Sequence, residues 1–100
     1  MVIARIHDFG FMTEGHADYD EHGYDIVCSA ISALTQTIAL GLEKHCKAKV
    51  QATSGNIIVD LDERSNESHV MLDALRLGLH EIRQEYPDHL QIQVKKGVFK

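Results

Sequence analysis

A histidine and a cysteine that lie twelve positions apart, at 16 and 28, are the residues of this sequence best suited to chemistry. His16 stands in the run Gly15-His16-Ala17, and Cys28 stands in the run Asp25-Ile26-Val27-Cys28-Ser29-Ala30. A thiol beside an imidazole base can attack a carbonyl carbon, because the imidazole takes and later returns the proton. His16 and Cys28 are therefore the candidate catalytic pair.

The segment that carries Cys28 is predicted to be a helix from about Asp25 to His45. Its apolar residues recur at spacings of three and four and form one stripe: Val27, Ile31, Leu34, Ile38 and Leu42. With Asp25 as the N-cap, Cys28 falls in the first turn, where the helix dipole and unpaired backbone N–H groups favour a thiolate. The N–H groups of Cys28 and Ser29 are then candidates for an oxyanion hole.

Three further residues are candidates for supporting roles. Asp25 can either cap the helix or orient the imidazole of His16, and the sequence leaves these two roles open. Ser29 and Ser32 follow the cysteine on the same helix, where packing or a hydrogen bond near the site is expected of them.

A polar loop is expected between the histidine and the helix. Gly15 and Gly23 bracket it, and glycine tolerates backbone angles that other residues avoid, so the loop is predicted to open over a substrate and close on Cys28. The loop is expected to shape a substrate groove, and Ala17 and Tyr24 are predicted to belong to this groove together with the two glycines. The candidates for an apolar pocket beside it are Phe9, Phe11, Met12 and Tyr24, although core packing is expected for at least two of these four.

Five strands and a second helix are predicted for the rest of the chain. The second helix begins after Ser65 or Asn66 and ends before Pro87. The strands are expected over 2–8, up to about Gly15, over 48–53, over 56–62 and around 90–94, with a hairpin turn at 54–56. This order favours an α+β two-layer sandwich in a single domain, residues 1–100, with a mostly antiparallel sheet and two helices on one face.

Composition excludes several classes of protein. The net charge of −5 argues against nucleic acid as a direct ligand, since phosphate binding requires clustered Lys and Arg. The sequence has no run of roughly 20 consecutive apolar residues and no signal-peptide pattern, so neither a membrane span nor export is expected. A cytoplasmic location follows as an expectation, with the two cysteines as free thiols.

The other cysteine and histidines are interpreted as bystanders. Cys46 lies at the C-terminal end of the first helix, where the dipole opposes a thiolate. His16, His22 and Cys28 are the best candidates for zinc ligands, but no CxxC or HxxxH pair accompanies them, so no metal or other cofactor is predicted. The remaining histidines are expected to be solvated surface residues.

These motifs resemble those of the Prp family, the ribosomal-processing cysteine proteases of Firmicutes and related bacteria. The resemblance rests on Gly15-His16-Ala17 and on the run from Asp25 to Ser32, and it continues weakly through the helix 71–87. It implies a small dimeric α+β cysteine endopeptidase with Cys28 as the nucleophile and His16 as its base. Asp25 and Ser32 match family positions near the site, and Gly15 matches the flexible loop.

The substrate that the resemblance implies is the precursor of large ribosomal subunit protein twenty-seven, from which the enzyme removes an N-terminal extension. A homodimer is implied as well. The alternative from a different class is a non-enzymatic, ribosome-associated or protein-binding module in which Cys28 is inert.

Overall fold

The strands form where apolar residues alternate, and the helices form where apolar residues recur three and four positions apart. The first and last residues of these elements lie within about two positions of those predicted. The computed structural model describes residues 1–21 and 25–95. In chain order the elements are β1 (Val2–His7), β2 (Gly10–Glu14), α1 (Ile26–Cys46), β3 (Lys49–Thr53), β4 (Asn56–Asp60), α2 (Asn66–Glu85) and β5 (Leu90–Val94).

The strands form one sheet in the order β3-β4-β2-β1-β5. Three of its pairs are antiparallel, and β5 lies parallel to β1. Alternate residues of the strands point to the helices and are buried, as Ala4, Ile6, Phe11 and Val59 show. The predicted α+β architecture, with a mostly antiparallel sheet and both helices on one face, is confirmed.

Helix α1 differs from the predicted stripe at two positions. Thr35 and Ala39 are buried, whereas Leu34 and Ile38 are only partly buried. The reason is that α1 packs on the sheet with one side and on α2 with another. Leu34 belongs to the second contact, since a methyl group added to Gly78 would lie 2.7 Å from its Cδ2.

Helix α2 begins and ends where the sequence predicts. Ser65 is the N-cap: its hydroxyl accepts the N–H of Ser68, and the hydroxyl of Ser68 accepts the N–H of Ser65, both at 3.0 Å. The helix ends at Glu85, shortly before Pro87, which cannot continue it. Its fully buried apolar residues are Leu72, Leu75 and Leu79.

By length and composition alone, α1 is also apolar enough to cross a membrane, with a mean hydropathy of 1.5 over its most apolar 18 residues. A count of consecutive apolar residues does not detect this property, because Ser, Thr, Gln and Gly interrupt the run. Core helices have the same property, and α1 buries Val27, Ile31 and Leu42 inside this domain.

Candidate active site

Asp25 joins the start of α1 to the segment that precedes it. Its Oδ1 accepts the backbone N–H of Cys28 at 2.8 Å, as an N-cap does. Its Oδ2 accepts the backbone N–H groups of Tyr19 at 2.9 Å and of Asp20 at 3.4 Å. Asp25 is therefore the predicted N-cap, and it also holds residues 19 and 20 against the helix.

These donors set the protonation state of Asp25. Burial alone would raise the pKa of its carboxyl, but the backbone N–H groups of Cys28, Tyr19, Asp20 and Val27 stabilise the charged form. Their combined effect holds the pKa of Asp25 below the ordinary value of an aspartate. A carboxylate therefore lies within the first turn of α1, where it offsets part of the positive potential of the helix start.

The prediction that the N–H groups of Cys28 and Ser29 form an oxyanion hole is wrong. The N–H of Cys28 donates to Oδ1 of Asp25, and the N–H of Ser29 donates to the backbone oxygen of Asp25 at 3.0 Å. Both amides are thus engaged within the first turn, which follows from the capping that places Cys28 there. Charge that develops on a substrate oxygen has to be met by other donors.

Two hollows meet at Cys28. One, which we call the hairpin cleft, has a volume of about 230 Å³ and lies between α1 and the β3–β4 turn, where Thr53, Ser54 and Gly55 line it. The other, the acidic cleft, has a volume of about 400 Å³ and is lined by residues that include Asp18, Asp20 and Asp25. Three side chains line both hollows: His16, Cys28 and Ser32.

The structure therefore brings the two candidate catalytic residues to one place. His16 is exposed and Cys28 is half-buried, so the thiol is within reach of a molecule that enters either hollow. Ser32 stands one turn after Cys28 on the same side of α1, since residues four apart share a helix face. The arrangement suits an extended chain that crosses Cys28 from one hollow to the other.

The turn between β3 and β4 supports the imidazole of His16. A methyl group on Gly55 would stand 3.0 Å from Nε2 of His16, and the backbone oxygen of Gly55 accepts the N–H of Gly15 at 2.9 Å. Gly55 has φ +84° and Gly15 has φ +93°, a region that favours glycine. The hairpin was predicted, but its contact with His16 was not.

The segment after His16 is tied to the rest of the domain. Ala17 is 1% exposed, and its backbone oxygen lies 2.8 Å from Nδ1 of His89. Asp18 forms an ion pair of 3.1 Å with the amino group of Met1. At Gly15, a side chain would collide with the backbone oxygen of Met1 at 2.4 Å. Gly15 is thus required by close packing as well as by its backbone angle.

The other predicted site residues are distributed as follows. Ser29 lines the acidic cleft and donates its hydroxyl to the backbone oxygen of Asp25 at 3.0 Å. Gly23 and Tyr24, which were predicted as groove residues, lie outside the residues that the structure describes. Within residues 1–21 and 25–95, no group of three or more His, Cys, Asp or Glu is arranged to hold a metal ion.

The expected apolar pocket is wrong for the three of its four residues that the structure describes. Phe11 is buried in the core, and Met12 lies in a shallow hollow on the open face of the sheet. Phe9 is 42% exposed, and its ring packs under the guanidinium of Arg64 at 5.8 Å. None of the three lines either cleft at Cys28. The side chains that do line the hairpin cleft are mostly small or polar.

Sequence reasoning missed two residues of this region, Gly55 and His89. The turn at Ser54-Gly55-Asn56 was recognisable, but local patterns do not tell which other segment a turn touches. His89 was placed among the solvated surface histidines, yet it is half-buried and bonded to Ala17. Its position just before an apolar strand, at the end of a tight connection, was the available signal.

Comparison with known proteins gives consistent matches. The sequence model of the family described as cysteine protease Prp matches residues 4–91 of the chain. The ribosomal processing cysteine protease Prp of Staphylococcus aureus (strain Mu50 / ATCC 700699) is 27% identical over 103 residues, which cover 94% of this chain and 97% of that protein.

Solved structures share the fold. The crystal structure of an essential ribosomal processing protease Prp from S. aureus, in complex with a covalently linked product peptide, has a TM-score of 0.83 and 23% identity. The same protease in complex with a substrate peptide has a TM-score of 0.79 and 22% identity. Each comparison covers 95% of this chain and 100% of the solved one.

Proposed function

This chain belongs to the cysteine protease Prp family and is a cysteine protease, and on that premise we propose that it removes the N-terminal extension of large ribosomal subunit protein twenty-seven. The name of the S. aureus relative, a ribosomal processing protease, supports a ribosomal protein as the substrate. Membership of a protease family favours the enzyme over the non-enzymatic binding module. The protease domain comprises residues 1–100.

The observation that carries the catalytic assignment is that His16 and Cys28 line the same two hollows. In the proposed reaction the sulfur of Cys28 attacks the scissile carbonyl carbon and forms a C–S bond. His16, which has taken the thiol proton, gives it to the departing amine as the C–N bond breaks. Water then hydrolyses the thioester, releases the carboxylate product and returns the thiol.

The shape of the site supports an extended peptide as the substrate. Cys28 lines both the hairpin cleft and the acidic cleft, so a strand-like segment that occupies both clefts can place its scissile bond at the sulfur. Strand-like recognition of this kind uses backbone hydrogen bonds for affinity and hollows for specificity. Asp18 and Asp20 line the acidic cleft, which favours a basic residue on that flank.

The assembly and location are also part of the proposal. We propose a homodimer, since four large apolar side chains of the two helices are more than half exposed: Ile26, Leu40, Val70 and Leu77. Residues 26 and 40 share one side of α1, and residues 70 and 77 share one side of α2. Ribosomal proteins are made in the cytoplasm and both cysteines are free thiols, which supports a cytoplasmic location.

The test is cleavage of a peptide that spans the N-terminal extension of the host's ribosomal protein. It is incubated with the wild-type protein, with Cys28→Ala and with the matched control Cys46→Ala, and the products are identified by mass spectrometry. We expect one cut by the wild type and by Cys46→Ala, and none by Cys28→Ala. No cut by the folded wild-type protein would overturn the proposed substrate, and a cut by Cys28→Ala would overturn the nucleophile.

A further inference from the structure

The backbone next to His16 is held by a histidine 72 residues away from Ala17 in the sequence. Nδ1 of His89 lies 2.8 Å from the backbone oxygen of Ala17. A carbonyl oxygen only accepts hydrogen bonds, so Nδ1 of His89 carries the proton and donates it. The side chain of His89 is therefore the donor, and the backbone at position 17 is the acceptor.

His89 is itself fixed on several sides. Its backbone N–H donates to the oxygen of Tyr86 at 3.0 Å, and its backbone oxygen accepts the N–H of Val2 at 3.0 Å. Its ring meets the ring of Tyr19 edge-on, with centroids 5.3 Å apart and an interplanar angle of 81°. His89, which holds Ala17, is therefore anchored to regular secondary structure: to the end of α2 through Tyr86 and to β1 through Val2.

Two neighbouring segments bear on the position of His16. The tip of the β3–β4 hairpin stands against its ring, and the backbone that carries the ring is held at Ala17. The ion pair of Asp18 with Met1 joins two groups that are 78% and 44% exposed, and pairs of that kind contribute little. Ala17 is buried directly beside His16, and its backbone oxygen accepts a hydrogen bond from the anchored ring of His89, so this contact restrains the backbone that carries the imidazole.

The position of His16 matters here because the capped helix start offers Cys28 less positive potential than an uncapped one would. The carboxylate of Asp25 already binds the N–H groups of the first turn and offsets the positive helix end next to Cys28. In the proposed reaction the sulfur of Cys28 then depends on the imidazole of His16 for its activation, and such activation depends on the relative position of the two groups.

We propose that His89 is a positioning residue of the protease: its Nδ1–H, donated to Ala17, holds His16 in the orientation that serves Cys28. This rests on the proposed function, since it assumes that His16 and Cys28 act together. His89 does not touch the substrate in this proposal and acts only through the backbone at Ala17.

Two substitutions separate the hydrogen bond from the packing of the ring. His89→Asn keeps a side-chain N–H near the place of Nδ1 and removes the ring. His89→Phe keeps an aromatic ring against Tyr19 and removes the donor. We expect His89→Phe to lower kcat on the extension peptide by about tenfold or more with KM nearly unchanged, and His89→Asn to retain activity within about threefold of the wild type.

The melting temperature and the labelling of the cysteines are measured on the same proteins. In our proposal iodoacetamide labels Cys28 more slowly in His89→Phe than in the wild type and His89→Asn, while Cys46 is labelled equally in all three. A merely structural role predicts the reverse order, with His89→Phe closer to the wild type than His89→Asn in both activity and melting temperature. That order, or wild-type kcat in His89→Phe, would overturn the proposal.

The outcomes also distinguish this proposal from the proposed function. If the wild type cuts the peptide and His89→Phe cuts it equally well, the role of His89 is wrong and the protease assignment stands. If the wild type does not cut but Cys28 is labelled faster than Cys46, the labelling rates of the two variants decide the role of His89. If Cys28 and Cys46 react alike and nothing is cut, both proposals are overturned.

Discussion

The imidazole of His16 rests on the backbone of Gly55. A methyl group added to Gly55 would stand 3.0 Å from Nε2, 3.3 Å from Cε1 and 3.6 Å from Cδ2 of His16. Gly55 also has φ +84°, which L side chains rarely adopt. Glycine is therefore required at position 55 for two reasons: the turn of the β3–β4 hairpin has a positive φ there, and a side chain would leave no room for His16.

The substitution Gly55→Ala tests this contact. The added methyl group must push the ring of His16 aside and must strain the turn, so we expect kcat/KM on the extension peptide to fall by about tenfold or more. The free energy of unfolding should fall by about 1–2 kcal/mol because of the positive φ. Peptide cleavage and urea denaturation of the same preparation measure the two effects.

Gly41→Ala is the matched control for that substitution. Gly41 lies inside α1, and the nearest atom to its new methyl group would be the flexible Sδ of Met71 at 3.4 Å. Alanine is the better helix former, so stability should stay constant or rise by up to about 1 kcal/mol, with normal cleavage. Equal loss of activity in Gly41→Ala and Gly55→Ala would contradict a specific role for the hairpin.

Asp25 makes the stability of the protein depend on pH. Because its pKa is lowered in the folded state, its ionised carboxylate stabilises the fold fully above the unfolded pKa of about 3.9. This contribution is lost as the pH falls through the lower folded pKa. Asp25→Asn keeps one acceptor oxygen but does not titrate, so the wild type should be more stable by about 1 kcal/mol above pH 5 or so.

Below about pH 4 the difference between the wild type and Asp25→Asn should shrink steadily. Denaturation by urea at a series of pH values from roughly 2 to 7 measures it. Asp18 and Asp20 line the same cleft and are present in both proteins, so their contributions largely cancel in the difference. A difference that stays constant over this range would show that the charge of Asp25 contributes nothing.

Cys28 and Cys46 offer an internal comparison of thiol reactivity. Both are half-buried free thiols on α1, one in its first turn and one in its last. We expect iodoacetamide to label Cys28 about tenfold faster than Cys46 at neutral pH, and His16→Ala to remove most of this advantage.

His45→Ala is the control for His16→Ala, since His45 is an exposed histidine in the last turn of α1. It should leave the labelling of Cys28 unchanged. Persistence of fast Cys28 labelling in His16→Ala would mean that the imidazole does not activate the thiol. Mass spectrometry gives the ratio of labelled Cys28 to labelled Cys46 within each sample, so the measurement needs no external standard.

The proposed dimer can be broken by charge on the helix surface. Leu77 is 53% exposed on α2, and a carboxylate there would be costly at an apolar interface between two copies. We expect Leu77→Glu to sediment as a monomer at micromolar concentration while the wild type sediments as a dimer. Glu81→Gln, at an exposed α2 position one turn later, should leave the dimer intact.

Features that depend on nearby residues were predictable from the sequence. Asp25 caps the helix because its side chain reaches an amide three residues away, and Ser65 does the same at the start of α2. The hairpin of β3 and β4 follows from its short turn. The first turn of α1, with Cys28 in it, was therefore fixed by local chemistry.

Contacts that depend on the order of the strands in the sheet could not be predicted from the sequence. Gly55 meets His16 because β4 pairs with β2, and His89 meets Ala17 because β5 pairs with β1. Neither pairing leaves a local pattern, since the contacts join segments far apart in the chain. The same limit produced the wrong pocket, because alternation alone does not tell which face of β2 meets the helices.

The parallel pairing of β1 with β5 joins segments that lie far apart in the sequence. Arg5 on β1 bonds to Gln93 on β5, 88 residues later. Closing so long a loop costs chain entropy before its contacts form, so we expect β5 to dock late in folding. On the proposal for His89, the donor to Ala17 is in place only after that step, and peptide cleavage should return later during refolding than the helical signal does.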